Sequence, residues 1–348
     1  MKLFKYPVLV FDNIIKQLDP IPLVYLSFCS KKTCERIKRV SFSIEDAWFG
    51  NEAVEKRGYY FGVKFPSQQI LFVIFQSAPE SFKRYPVSLR IGDTVYKCRY
   101  SEPIQEHSIY LGCVGYKKAS LFFNYIFDLV KARINKIVID LDRLNNTKLF
   151  LSEPCFKNIQ KITLAGRRTD SKKVIELYDY FDKPLLETRV ISHIKSLSPT
   201  SKMLQSENLR FNPSKFISIE HLLNFTGKYI SLGYSSILED GIVTFIKHWL
   251  NGNYPNLEAA HITCPIELEY ETEKVLNEFN TKPWNPAERA RKFLFKASFS
   301  SFDQKVFPIR DCSNGHDIER SDGLLATMRF EDNDCGFLFF VWHNRFPS

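Results

Sequence analysis

The chain of 348 residues lacks the short patterns that announce chemistry. It has no glycine-rich phosphate loop, no G-x-S-x-G nucleophile turn and no H-E-x-x-H helix. Enzymes built on those motifs are therefore excluded, and an enzyme whose active site is dispersed along the chain stays open as a rival reading. None of the eight cysteines forms a C-x-x-C pair. A chain this long needs no disulfide framework, so reduced thiols and a cytoplasmic or nuclear setting are expected. No apolar run can span a bilayer: the longest, ILFVIF (70–75) and FLFFVW (337–342), have the length of strands. The run Val8 to Phe11 is preceded by Pro7 and stopped by Asp12, too short for a signal segment. No membrane partner is expected. Gly/Ser linkers, low-complexity tracts and long charge blocks are also missing.

Aromatic residues are abundant, with 31 Phe and 16 Tyr, which argues for a large core or packing surface. The length suits two or three domains at about 150 residues each. The net charge is +9, with basic clusters at 31–39, 166–173 and 289–296. Such clusters suit solvated helix ends and loops, or an acidic partner. A non-catalytic binder of a polyanion or nucleic acid is the alternative reading, although no nucleic-acid motif accompanies the charge. Within the middle cluster, GRRTDSKK could read a phosphate or an acidic motif.

Residues 6–32, YPVLVFDNIIKQLDPIPLVYLSFCSKK, combine apolar helical spacing with three prolines. Val8, Phe11, Ile15 and Leu18 form one stripe, and Val10 with Ile14 widens it. Asp19 is placed to cap a second helix that opens on Pro20, so Pro20 and Pro22 fall in a tolerated first turn. Ser30 is placed to cap a third helix carrying Cys34 and Ile37. Three short helices of about 40 residues bury too little surface to stand alone, and apolar residues on more than one face of the first mark either an interface with another protein or packing against the rest of this chain.

Beyond this start, the strand patterns YYFGVKF, ILFVIF and VSLRIGDTVYKC predict a β-rich segment, with a tight turn at Gly92-Asp93. From residue 119 helices and strands alternate. Helices are expected at 121–130, 174–181, 218–225 and 241–250. Strands are expected at 134–141, 159–166, 186–193, 208–212, 228–234 and 256–262. The spacing of roughly 20 to 29 residues matches an irregular leucine-rich-repeat-like solenoid, or another α/β arrangement. LLATMRF and FLFFVWH around EDNDCG predict a closing β-hairpin. The expected fold is thus α+β or α/β in three parts. These are a three-helix unit over 1–45, a linker and β-rich segment over 46–118, and an α/β domain over 119–348.

Candidate chemical sites are sparse. LAGRRTDSKK offers one Gly where a phosphate cradle needs several, and a strand-to-helix loop capped by Asp170 or Ser171 accounts for it. Cys312, His316, Cys335 and His343 have spacings foreign to zinc fingers, and Asp332, Asn333 and Asp334 suit a turn better than a calcium loop. No cofactor, metal or catalytic residue is expected.

Pro7, Ile14, Leu18, Pro20, Leu23, Leu26 and Ser30-Lys31 carry a pattern that resembles an F-box over residues 3–43. The L-D-P and L-x-x-L-S-x-C-S-K-K segments are similar to the large nematode expansion of that family. Phe245, His248-Trp249, Gly252, Pro255 and Leu257-Glu258 within 216–262, with VWH at 341–343, resemble the type 2 F-box associated domain of the same proteins. That domain is expected over about 205–270. The resemblance implies a substrate receptor of an SCF-type ubiquitin ligase, non-catalytic, bound through a Skp-family adaptor to a cullin-RING assembly and recruiting an unidentified protein target. A scaffold that binds the adaptor outside the ubiquitin pathway is a milder form of the same reading. Carried over position by position, the adaptor contacts would be Pro7, Val10, Ile14, Leu18, Pro20, Leu23 and Leu26. His248 and Trp249 have substrate contact as their functional reading, but framework is the favoured one, since Trp249 shares the apolar stripe of Ile242, Phe245 and Ile246.

Overall fold

The computed structural model describes residues 8–39, 42–51, 59–66, 70–75, 85–91, 94–101, 106–110, 116–131, 133–144, 146–153, 156–265, 267–294, 309–331 and 335–347. The chain divides into two compact units, Met1–Gln160 and Lys161–Ser348. Both mix helices with a sheet of parallel and antiparallel strands.

The first unit opens on three short helices, α1 (Val8–Lys16), α2 (Pro20–Ser27) and α3 (Lys31–Ile37). Pro20 and Pro22 sit in the first turn of α2, where a missing N–H costs nothing. Asp19 holds the cap position without a side-chain hydrogen bond, whereas the Ser30 hydroxyl accepts from Thr33 N at 3.1 Å. Phe11, Ile15, Ile21, Leu23, Val24, Cys34 and Ile37 bury their side chains. Six strands follow: β1 (Asp46–Gly50), β2 (Tyr59–Lys64), β3 (Ile70–Phe75), β4 (Tyr85–Ile91), β5 (Thr94–Ser101) and β6 (Glu106–Tyr110). After α4 (Tyr116–Val130) come β7 (Lys136–Ile139) and α5 (Thr147–Leu151). The sheet order is β7-β1-β2-β3-β6-β5-β4, parallel at β7-β1 and β3-β6 and antiparallel elsewhere. The predicted β4-β5 hairpin forms, with its Gly92-Asp93 turn outside the described residues. The helix and strand expected at 121–130 and 134–141, grouped by the sequence with the C-terminal domain, are α4 and β7 of this first unit.

Aromatic rings join sheet to helix. Phe49, Phe61, Phe75 and Tyr96, from four strands, meet Phe122, Phe123 and Phe127 of α4 with centroids 5.3–6.4 Å apart. Tyr60 and Trp48 lie over Gly50 and Gly62. A Cβ on Gly62 would fall 2.3 Å from the Trp48 ring, which explains a glycine inside a strand there.

The second unit begins with β8 (Lys161–Leu164), β9 (Arg168–Thr169), α6 (Ser171–Asp179), β10 (Glu187–Val190), β11 (His193–Ile194) and β12 (Asn208–Phe211). It continues through α7 (Ile219–Leu223), β13 (Tyr229–Leu232), α8 (Glu239–Leu250), β14 (Ala259–Thr263) and α9 (Thr272–Leu276). It ends with β15 (Lys282–Pro283), β16 (Lys292–Leu294), β17 (Ile309–Asp311), β18 (His316–Glu319), β19 (Leu325–Glu331) and β20 (Gly336–Trp342). Strands β8, β10, β12, β13 and β14 are parallel and in register, Lys161 opposite Glu187, then Asn208, Tyr229 and Ala259. The predicted hairpin is β19-β20, and β20 adds antiparallel to β14, closing the array. On one face Ile242, Phe245, Ile246 and Trp249 of α8 are buried, and Phe339 stands edge-on to Phe245 and Trp249 at 5.3 and 5.2 Å.

A second core lies around Phe293, Cys312, Phe340 and Trp342, and a buried ion pair sits beside it. The fully buried Arg289 guanidinium donates to both Asp317 carboxylate oxygens at 2.8–2.9 Å and to the carbonyls of Ala290 and Cys312. Thr327 donates to Asp317 at 2.6 Å and accepts from Trp342 Nε1 at 2.8 Å. Arg289 also lies over the Trp342 ring, 4.9 Å from its centroid. A buried charge is tolerated only when paired and hydrogen-bonded this completely. Arg289→Met should therefore leave Asp317 buried without its counter-charge and cost roughly 3–5 kcal/mol. Chemical denaturation reads this as a lowered midpoint, and an unchanged midpoint would remove the cluster's structural role.

Candidate functional site

Among the apolar residues of the first three helices, the structure separates inward from outward. Phe11 and Ile15 of α1 are buried, and the Arg36 guanidinium lies 4.8 Å over the Phe11 ring. Val10 is 41% exposed, Leu18 in the turn after α1 is 37% exposed, and Ile14, Pro20 and Leu26 are half-buried. Leu23 is only 2% exposed and so is part of the buried core. Pro7 lies outside the described residues. Val10, Ile14 and Leu18 follow one another at four-residue intervals, one turn apart, so the outward residues form a strip.

Residues of α3 and of the end of α2 are engaged by α4 of the same chain. Phe28 packs on Phe122 and Tyr125 of α4, with centroids at 5.8 and 5.5 Å. The Tyr125 hydroxyl reaches Ser27 O at 3.1 Å, Ser27 Oγ at 2.9 Å and Cys34 Sγ at 3.2 Å. Burial, with the Cys34 contact, pushes the Tyr125 hydroxyl well above its ordinary range, so it remains a neutral donor. Lys38 pairs with Asp128 at 2.5 Å, and that contact raises the Lys38 ammonium's pKa. The helices that α4 holds thus still present Val10 and Leu18 to solvent.

The residues considered for chemistry are scattered over other tasks. Gly166 has a φ of 104°, and Asp170 accepts from Lys172 N at 2.9 Å as the cap of α6. The Cys312 thiol donates to Arg310 O, and burial pushes it up to about 11, the wrong direction for a nucleophile or metal ligand. His343 contacts Leu257 O at 2.8 Å. Among the described residues no group of three or more His, Cys, Asp or Glu is arranged to hold a metal ion, and no helix is long and apolar enough to cross a membrane. Trp249 is buried under Phe339 and Arg320, and His248 stands edge-on to Tyr254 at 5.0 Å, where desolvation lowers its pKa. His221, which the sequence reading passed over, joins Ser218 through Nδ1 at 2.8 Å and Leu197 O through Nε2 at 2.8 Å. It ties the loop before α7 to the preceding segment.

Residues 199–262 match the F-box associated family. The matched segment runs from the approach to β12 into β14, and it overlaps the region expected from Trp249 and its neighbours. An uncharacterized protein of Caenorhabditis elegans is 22% identical over 99% of this chain and 80% of its own length. A second from that organism is 28% identical over 43% of this chain and 33% of its own length. A third is 22% identical over 98% of this chain and 93% of its own length. No solved structure matches the chain.

Tyr125→Phe removes one hydroxyl and keeps the ring packing. It should weaken docking of the three helices by about 1 kcal/mol, seen as faster amide exchange over α1–α3. Unchanged exchange there would mean that the hydroxyl does not hold them.

Proposed function

We propose that this chain is the substrate-receiving subunit of an SCF-type ubiquitin ligase. The observation that carries the reading is the F-box associated match at 199–262, downstream of three helices with an exposed apolar strip. In this reading α1–α3 form an F-box, and Val10, Ile14, Leu18, Pro20 and Leu26 face a Skp-family adaptor. Leu23 would act from beneath, by shaping the helices. The parallel array from β8 to β14 is an irregular repeat surface that receives a protein target. Residues 1–45 would then be the adaptor module, 46–118 with α4 and β7 its extension within the first unit, and the second unit from Lys161 the receptor domain. Ubiquitin transfer takes place on the cullin-RING assembly, and this subunit supplies position, raising the effective concentration of a target lysine. Such work needs no catalytic residue or cofactor here, and it belongs in the cytoplasm or nucleus.

Leu18→Asp tests the adaptor contact at a residue the fold does not need. An unpaired charge carried into an apolar interface should cost about 3 kcal/mol, or roughly a hundredfold in affinity. Co-purification with the adaptor should be lost while the melting temperature stays put. Retained co-purification would count against the assignment of this face. A basic binder of nucleic acid would instead show affinity that collapses between low and physiological salt.

A further inference from the structure

The carboxyl ends of β8, β10 and β12 form a rim of exposed basic side chains, whereas the segment after β14 carries the exposed Glu267, Glu269 and Glu271. Arg167 and Arg168 follow β8, His193 and Lys195 follow β10, and Lys215 follows β12; all five are exposed. The loops that carry them are stacked by the backbone. His193 N donates to Arg167 O, β9 pairs with β11 so that Arg168 lies opposite His193, and Ser214 N donates to Gly233 O in the loop after β13. Thr169 and Ser192 join side chains between the first two loops at 3.0 Å. None of the five basic side chains makes an ion pair or side-chain hydrogen bond among the described residues. The carboxylate within these loops is Asp170, exposed and engaged by Lys172 N as the cap of α6. Beside the charges, Ile191 is 36% exposed and Tyr234, after β13, is 46% exposed.

We propose that this rim binds an extended acidic segment of a protein partner, its carboxylates on the Arg and Lys side chains and its apolar residues on Ile191 and Tyr234. The stack of four loops spans about 14 Å at the spacing of neighbouring strands, the length of roughly four extended residues. Arginine forks suit carboxylates, and the interleaved Ile191 gives an apolar contact that a sugar-phosphate backbone does not use. One exposed tyrosine is a poor stacking platform for a nucleic-acid strand. The inference rests on the receptor reading for its purpose and not for its chemistry, so it is tested without the adaptor.

The test uses the full chain and fluorescence anisotropy. The probes are a labelled peptide alternating glutamate with leucine, its glutamine counterpart and an oligothymidylate of matched charge. The glutamate peptide should bind, and the glutamine peptide should bind at least about tenfold more weakly, with an affinity that salt does not change. Replacing Arg167, Arg168, Lys195 and Lys215 together by Gln should weaken the glutamate peptide at least about tenfold. Lys31→Gln with Lys32→Gln, on α3, should change nothing. If the fourfold variant does not keep the wild-type circular dichroism, the pair Arg168→Gln and Lys215→Gln replaces it, with a loss of severalfold expected. Equal binding of the two peptides, unchanged binding by the rim variants, or tighter binding of the oligothymidylate would each overturn the proposal. Adaptor binding by the rim variant reports separately on the receptor reading.

Discussion

The contact of Phe28 and Ser27 with Tyr125 decides what the N-terminal helices can do. Three helices of this size cannot bury enough surface to hold their own fold. Their stability has to come from a neighbour, and α4 provides it through the Phe28–Phe122–Tyr125 stack, the Tyr125 hydroxyl and the Lys38–Asp128 pair. Because α3 and the end of α2 are spent on this anchor, the role of the strip at Val10, Ile14 and Leu18 is free to be something else. Apolar side chains left outside an anchored bundle are most simply understood as a surface for another protein.

The same division between framework and surface runs through the second unit. The α8 stripe and Phe339 build the inner side of the array, and Trp249, which carries part of the family pattern, is wholly inside it. The Arg289–Asp317 pair, with Thr327 and Trp342, fastens the segment after β15 to the closing hairpin. The loops at the carboxyl ends of β8, β10, β12 and β13 are laddered by their own contacts, His193 N to Arg167 O, Thr169 to Ser192 and Ser214 N to Gly233 O. Thr169, Ser192, Ile194, Ser214 and Ser235 are buried within them, while Arg167, Arg168, His193, Lys195 and Lys215 stay exposed. Buried framework and exposed charge are thereby carried by different residues of the same loops.

Much of this was legible in the sequence, and the reasons are local. Pro20, Pro22 and Ser30 punctuate the first helices, and the Ile242-Phe245-Ile246-Trp249 spacing marks α8, because helix starts and periodicity are written within one or two turns. The in-register strands were visible as short apolar runs at recurring distance. Strand β1, DAWFG, was not, since five residues ending in Gly carry no clear alternation. The two-residue pairs β9-β11 and β15-β18 were also invisible, because they exist only through neighbours fixed by other elements. Leu23 looked like a contact residue because apolar helical spacing does not say which side meets solvent. The basic cluster at 166–173 was conspicuous, but its companions His193, Lys195 and Lys215 are dispersed over dozens of residues and are collected only by the strand register. Tyr125 and Arg289 act across long sequence separations, where no short pattern can reveal them.

The central claim is that the outward strip of α1 and α2 is the surface by which this chain joins its assembly. Hydrogen exchange of the full chain, with and without a purified Skp-family adaptor, tests it most directly. The account predicts new protection over residues 10–26, with the amides of β8 to β14 unchanged. Absence of binding, or protection that appears on the β8 to β14 array while residues 10–26 exchange as before, would contradict it.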